Sequence, residues 1–320
     1  MQSNLIGIEI GGTKLQIVVG DGSGEILQRH RFTVDKSGGA PAIRAQLESV
    51  LPGLVQQTDP AAIGTGFGGP VDWRTGRIAR SHQIEGWSDF DLAGWLQSLT
   101  GRRVWIDNDG NVAALGEARR GAGQGGDPVF YVTLGSGVGG GLVVAGNIFH
   151  GARPGEAEIG HLRLDRAGTI VESRCSGWAV DARIRELKKS EKPSVLNSLV
   201  GNESGGEARH LAAALSQGDP EAGGILRETA ANLAFALSHV THLFHPEIIV
   251  LGGGLSFVGE PLRAAVAEAL PPWLMEVFRP GPIVKLATLR EDAVPVGCLL
   301  GAAEIADGRG PSRGEGFMIC

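Results

Sequence analysis

Two α/β domains facing each other across a cleft are predicted by three features of this 320-residue chain. A strand, a glycine turn and a second strand open the sequence, and the same pattern returns at Val129–Ala145. Each occurrence runs on into alternating helix and strand, as an α/β domain requires. Glycine, at 51 residues, clusters where strands should end, which leaves backbone N–H groups open to a ligand.

Taken in order, Leu5–Ile10, Leu15–Val19 and Ile26–Phe32 read as strands from their apolar and β-branched content, and Pro41–Leu51 as a helix. A short strand at Ala62–Phe67 runs into Gly68-Gly69-Pro70-Val71-Asp72. Val104–Asp107 is the next strand, and Asp109–Arg120 is a helix because Val112, Leu115 and Ala118 come close to helical apolar spacing. Val129–Leu134, the glycine turn Gly135–Gly141 and the strand Leu142–Ala145 then repeat the opening hairpin. Glu207–Ser216 and Glu221–Phe244 read as amphipathic helices, Glu247–Leu251 as a buried strand ending in Gly252-Gly253-Gly254, and Glu260–Leu270 as a helix. The Gly-rich polar stretch Gly121–Asp127 marks the expected boundary, giving domains 1–120 and 121–307. Residues 308–320 have turn composition and little to bury, so a loose tail is expected.

With 42% hydrophobic and 20% charged residues, the composition is that of an ordinary soluble protein with room for two cores. A net charge of −6 and the absence of a basic stripe interleaved with aromatics argue against a nucleic-acid partner. No apolar run reaches the ~20 residues of a helical bilayer span, and the polar start Met1-Gln2-Ser3-Asn4 is no signal peptide. A cytoplasmic protein without membrane contact is expected. Cys175, Cys298 and Cys320 fit neither a disulfide framework nor a C-x-x-C zinc pattern and are expected to be reduced thiols.

The chemistry concentrates at the glycine turns. Glu9 closes an apolar strand and is followed by Gly11-Gly12-Thr13-Lys14. The glycines let phosphate oxygens reach backbone N–H groups, Thr13 and Lys14 add a hydroxyl and an ammonium, and Glu9 is suited to hold the water shell of Mg²⁺. The Walker pattern is absent and the residues after Lys14 are β-prone, so the phosphate would sit on a hairpin; a plain glycine hairpin reads equally well. Gly135–Gly140 matches G-x-G-x-x-G, yet Leu142-Val143-Val144-Ala145 is a strand where a dinucleotide fold needs a helix, so a second phosphate hairpin fits better. Gly252-Gly253-Gly254 suits either the face of a nucleoside or a tight turn. Asp109, at a helix N-terminus, suits a base that accepts a hydroxyl proton during phosphoryl transfer, or an ordinary cap. Glu158, His161 and Glu172 can make the hydrogen bonds that sugar hydroxyls need, or stay solvated.

Over nearly the whole chain and in the same order, these motifs resemble the ROK group (repressors, open reading frames and sugar kinases) of the actin-like ATPase superfamily. IGIEIGGTK is similar to its first phosphate hairpin, GTGFGGPVD to its sugar loop G-x-P-G-P-V-D, and IDNDGNVAALGE to E-N-D-x-N-x-A-A-L-G-E. VTLGSGVGGGLVV is similar to the second phosphate hairpin, GARPGEAEIGH to G-A-x-G-x-A-G-E-I-G-H, and IIVLGGGLS to the adenosine loop. The resemblance implies two actin-like (ribonuclease H-like) α/β domains and an ATP-dependent kinase that phosphorylates the C6 hydroxyl of a hexose, glucose first. It also implies Mg²⁺ and a homodimer. Asp109 would be the catalytic base, and Gly68, Gly69, Asn108, Asp109, Glu158, His161 and Glu172 would hold the hexose. Gly11, Gly12, Thr13, Lys14, Gly135, Ser136, Gly137, Gly253 and Gly254 would line ATP, and Glu9 would reach Mg²⁺ through water. The alternatives are a kinase for fructose or an N-acetylhexosamine in the same family, and a sugar sensor without catalysis.

Four departures accompany the resemblance. The family's zinc loop C-x-C-G-x-x-G-C is missing, and Ile170 stands where the last cysteine would be, so no zinc is expected and His161 is left to the sugar. Glu9 stands where Asp is commoner, Gly68 where Pro is usual, and Ala157 where a glycine precedes Glu158. The first strand begins so near the start that no helix-turn-helix of the repressor kind is expected ahead of it.

Overall fold

A computed structural model describes residues 3–12, 14–79, 85–153, 155, 157–190 and 193–309. The chain forms two compact units, one of Met1–Gly116, Ile148–Glu156 and Glu291–Cys320, the other of Glu117–Asn147 and Ala157–Arg290.

In the first unit, β1 (Leu5–Ile10), β2 (Lys14–Gly20) and β3 (Ile26–Thr33) form an antiparallel meander, followed by α1 (Gly39–Thr58) and β4 (Ala62–Phe67). A small sheet of β5 (Val71–Asp72), β6 (Arg77–Ile78) and β7 (Phe90–Asp91) comes next, then α2 (Leu92–Thr100), β8 (Arg103–Asn108) and α3 (Asp109–Arg120). The main sheet has the order β3-β2-β1-β4-β8, with β4 parallel to both β1 and β8. Strand alternation divides β1 between two layers. Ile6, Ile8 and Ile10 join Ile43, Leu47 and Leu51 of α1 in one buried cluster, whereas Gly7 faces the other way.

The second unit repeats the plan. It contains β9 (Val129–Leu134), β10 (Val138–Val144), β11 (Asn147–Ile148), α4 (Glu172–Cys175), α5 (Gly177–Lys189), α6 (Val195–Val200), α7 (Leu211–Ser216) and α8 (Pro220–Phe244). β12 (Ile248–Gly252), α9 (Glu260–Ala269) and β13 (Ile283–Leu286) follow, before α10 (Ala293–Ala306) closes the chain in the first unit. The sheet order β11-β10-β9-β12-β13 matches the first strand for strand: an antiparallel hairpin, then a parallel pair of neighbours. Its core joins Phe130, Val132, Ile249 and Leu251 of the sheet to Leu233 and Leu237 of α8. The duplicated α/β architecture is therefore the expected one.

The division of the chain differs from the one expected at Gly121–Asp127. α10 lies on the first sheet, where a Cβ placed on Gly64 would stand 1.9 Å from Cys298 O, and one on Gly297 2.0 Å from Val112 O. These glycines admit a close approach of backbones, not a ligand, and draw a segment from the far end of the chain into the first unit. α1 continues past the expected Leu51 through Pro52, because Leu54 and Thr58 extend its buried stripe. β10 begins at Val138, so Gly139–Gly141 lie in the strand; a Cβ on Gly140 would meet Ala157 O at 3.0 Å. Glu207–His210 is a 3-10 turn ahead of α7, with Glu207 buried and paired to Arg185 at 3.0 Å. Cys175 and Cys298 are buried free thiols, and burial pushes Cys175 up to about 12. Cys320 and residues 310–320 of the expected tail lie outside the described residues.

Candidate active site

Three of the expected motifs meet within the first unit. The opening turn is closed by Gly11 N donating to Lys14 O at 2.9 Å, and the sugar loop docks on it through Gly68 N to Ile10 O, also 2.9 Å. Proline has no N–H to make that second bond, so Gly68 gains a contact which the commoner residue could not make. Asn108 Nδ2 donates to Gly69 O at 3.1 Å, while its Oδ1 accepts from Gly110 N at 2.8 Å and so caps the start of α3. Asp109 is the first residue of that helix. A Cβ placed on Gly68 would stand 3.3 Å from Asp109 Oδ2, 3.4 Å from Ile10 O and 3.5 Å from Gly11 Cα. The aspartate, the sugar loop and the first glycine turn thus share one small volume, and the absent side chain of Gly68 keeps it open.

Beneath them lies a polar cluster that sequence reasoning missed. Asp107 is 1% exposed; its Oδ1 accepts from Asn108 N at 2.8 Å and from Asn111 Nδ2 at 2.9 Å, and its Oδ2 lies 2.5 Å from His150 Nε2. His150 stacks on Trp73, with ring centroids 4.1 Å apart and planes 18° from parallel. Asn111 Nδ2 also donates to Gly155 O at 3.1 Å, and Arg153 pairs with Asp72 at 3.2 Å. His150, Arg153 and Gly155 are thereby fastened to the loop that runs from Gly68 to Trp73 and to the turn that carries Asn108 and Asp109. No local pattern announces this, because Asp107 and His150 are 43 residues apart.

Glu9 is largely buried, with 14% of its side chain exposed, and burial pushes its pKa up even though Lys14 Nζ sits 3.1 Å from Oε2. Gln16 Nε2 bonds to the same oxygen, and Arg29 donates to Gln16 Oε1 at 3.0 Å. Lys14, expected on the phosphate, is engaged with Glu9 here. Among the described residues, no group of three or more His, Cys, Asp or Glu could hold a metal ion. A lone carboxylate beside a phosphate turn suits Mg²⁺, which keeps its waters and takes most other ligands from the nucleotide. Thr13 lies outside the described residues.

In the second unit, Gly135 N donates to Gly137 O at 2.9 Å and Gly177 N to Gly135 O at 2.7 Å, which ties the start of α5 to the second glycine turn. Glu172 Oε2 accepts from Val138 N at 3.0 Å, and a Cβ on Gly137 would stand 2.4 Å from it. Glu172, expected on the hexose, thus rests on the second hairpin. Glu158 and His161 form a loose pair, Oε2 to Nδ1 3.5 Å, with 51% and 69% of their side chains exposed. Their 3-10 turn packs on β10, where a Cβ on Gly160 would meet Val138 O at 2.1 Å. Beside the hairpin is a cavity of about 410 Å³ lined by Gly135, Ser136, Trp178, Asp181, Gly254 and Phe257 among others. Gly253 has φ +77° and its Cβ would stand 2.5 Å from Leu134 N, so only glycine ends β12 here, whereas Gly254 has nothing within 4 Å. Mostly apolar walls, the glycine turn at Gly135 and the open backbone of Gly254 are features suited to a nucleoside.

The ROK family profile matches residues 5–308. The chain belongs to the ROK family. Among its relatives, a glucokinase of Thermotoga maritima is 32% identical over 94% of this chain and 96% of its own length, and one of Halalkalibacterium halodurans is 30% identical over 91% and 92%. This ROK chain is also similar to a ROK family glucokinase from Streptomyces griseus, solved in complex with glucose and AMPPNP. The TM-score is 0.82 at 31% identity, covering 94% of this chain and 100% of that one.

Proposed function

We propose that the chain is an ATP-dependent hexokinase that phosphorylates the C6 hydroxyl of a hexose, with glucose as the leading acceptor. The observation that carries this reading is the placement of Asp109 Oδ2 against Gly68 and the first glycine turn. A carboxylate beside an open backbone loop and a phosphate-type turn is suited to take a hydroxyl proton while the phosphoryl group is transferred. The names of the relatives at 30–32% identity point to the same reaction and to glucose.

In this reading Asp109 accepts the proton of the C6 hydroxyl, whose oxygen forms a bond to the γ-phosphorus as the bond to the β–γ bridging oxygen breaks and ADP leaves. Asn108, Gly68 and Gly69 hold the sugar on the side of the aspartate; Glu158 and His161 add hydrogen bonds to its hydroxyls. Glu172, whose Oε2 is bonded to Val138 N, adds a hydrogen bond to the hexose through its second oxygen. Gly11, Gly12 and Thr13 with Gly135, Ser136 and Gly137 offer N–H groups to the phosphates, and the cavity by Gly253 and Gly254 takes the nucleoside. Mg²⁺, held through water by Glu9, would neutralise phosphate charge when bound. Lys14, paired with Glu9 at 3.1 Å, adds its ammonium to the phosphate site. No zinc is required, because Ile170 replaces a cysteine of the family's loop. A cytoplasmic homodimer without nucleic-acid or membrane partners completes the proposal; no helix among the described residues is long and apolar enough to cross a membrane.

The test is an ADP-release assay over glucose, mannose, fructose and the N-acetylated amino sugars. Turnover should be highest with glucose. Release that follows an N-acetylhexosamine or fructose instead would reassign the acceptor, and sugar binding with no ADP from any of them would replace the kinase with a sensor.

A further inference from the structure

We infer that Trp178 and Phe257 form an aromatic clamp which holds the nucleobase of the phosphoryl donor by stacking, and that this clamp discriminates poorly between purine triphosphates. The inference rests on reading the cavity of the second unit as the nucleotide site.

Both rings are exposed, Trp178 by 65% and Phe257 by 57%; Leu243, Trp273, Met275 and Val277 of this unit are exposed too, but only Trp178 and Phe257 of these line the cavity. They come from separate elements and line the same cavity. Trp178 is the second residue of α5, directly after Gly177, whose N–H is bonded to Gly135 O. That bond fixes the indole one residue from the second phosphate hairpin. Phe257 stands in the 3-10 turn Gly254–Val258 that follows Gly253, and Arg290 braces its ring with Cζ 6.0 Å from the centroid. Two exposed aromatic rings that line one cavity with a phosphate-type turn offer flat apolar faces, and a flat heterocycle is the ligand suited to cover both.

The walls also say how the base is read. The described lining side chains include no Asn, Gln, Thr or Glu. Asp181 spends both oxygens on the chain itself, accepting from Gly206 N at 3.2 Å and from Ala208 N at 2.7 Å. Arg209 is paired with Glu203. Ser136 lies on the phosphate turn, which leaves the indole N–H of Trp178 and the guanidinium N–H groups that Arg209 does not spend on Glu203 and His210 as the side-chain donors. A site that makes few hydrogen bonds to a ligand's edge cannot reject an isostere strongly, whereas every base offers a face to stack.

Calorimetric titration of the full chain with ATP and GTP, followed by sugar-dependent ADP or GDP release, tests the clamp. Wild type should bind the two nucleotides within about tenfold of each other. Trp178→Ala should weaken both by about tenfold, the scale of one lost stack, and Trp178→Phe should restore most of the affinity. Phe257→Ala should act in the same direction, and hexose binding without nucleotide reports that each variant is folded. Nucleotide affinity unchanged in Trp178→Ala, or GTP rejected by three orders of magnitude or more, overturns the clamp. If wild type binds nucleotide but transfers nothing to a hexose, the kinase reading fails and the clamp stands; if it binds no nucleotide, both fall.

Discussion

The contact between Asp107 and His150 gives a prediction whose size follows from the geometry. The carboxylate is 2% exposed at its side chain and the imidazole 15%, with 2.5 Å between Oδ2 and Nε2, so water competes little for either partner. A hydrogen bond to a charged group contributes about 1.5–3 kcal/mol, and the low exposure places this one toward the upper end. Asp107→Ala also strips Asn111 Nδ2 of one of its two acceptors, and His150→Ala also removes the stack on Trp73, so each single variant overstates the pair. Those side effects recur in the double variant and cancel in a thermodynamic cycle. Urea unfolding of wild type, Asp107→Ala, His150→Ala and the double variant should therefore return a coupling of about 2.5–3 kcal/mol. A coupling below about 0.5 kcal/mol would refute the argument, since neighbours that share one buried bond cannot be that independent. Because the same segment is fastened beside Asn108, His150→Ala should also raise the KM for hexose more than that for ATP.

Two further outcomes follow from single side chains. Asp109→Asn should lower turnover by about 10²–10⁴-fold while hexose binding stays close to wild type in a titration; a variant that kept most of its rate would remove Asp109 as the base. Asp219 caps α8 and is 3% exposed. Burial opposes its charge, but the Ser194 hydroxyl and the N–H groups of Leu196, Glu221 and Ala222 outweigh that and hold its pKa below 3.8. Its contribution to stability is complete above that value and lost as pH falls through the lower folded pKa. Asp219→Asn should cost about 1–2 kcal/mol at neutral pH, and the gap to wild type should close in acid; a gap that stays constant down the pH series contradicts the linkage.

Much of this was legible because it is local. β1, β4, α3 and β9 fall on the residues that their patterns indicate, since a strand bounded by glycines or a helix opened by Asp109 declares itself within a few positions. The meeting of Gly11, Gly68 and Asp109 was legible for a related reason: each sits at the carboxyl end of one of three neighbouring parallel strands or in the turn beyond, and parallel strands deliver their ends to one edge. α2 escaped because it is only nine residues long with Gly94 inside it, although Leu92, Leu96 and Thr100 do fall on one buried face; that spacing and Asp91, which caps it by accepting from Gly94 N, are the signals that could have found it.

The remainder was not legible because it depends on partners far apart in the chain. α10 is apolar all round, so no face distinguishes it from a buried strand, and what seats it is a set of glycines in β1 and β4 more than two hundred residues earlier. Glu117 shows the same limit from the polar side. At the end of a helix it reads as a solvated carboxylate, yet it is 0% exposed and accepts from Ala122 N at 2.7 Å and Leu289 N at 2.8 Å. The chain first leaves the first unit at Gly116 and, after returning for Ile148–Glu156, last re-enters it at Glu291, so this carboxylate ties together the backbone stretches next to the first and the last of those crossings. A charge buried at such a point is tolerable only because backbone donors surround it, and those donors come from a loop that no window around Glu117 contains. Glycine is where the two kinds of reading diverge most: Gly68 leaves open space beside Asp109, Gly137 and Gly140 make room for Glu172 and Ala157, Gly64 makes room for α10, and only the partner decides which.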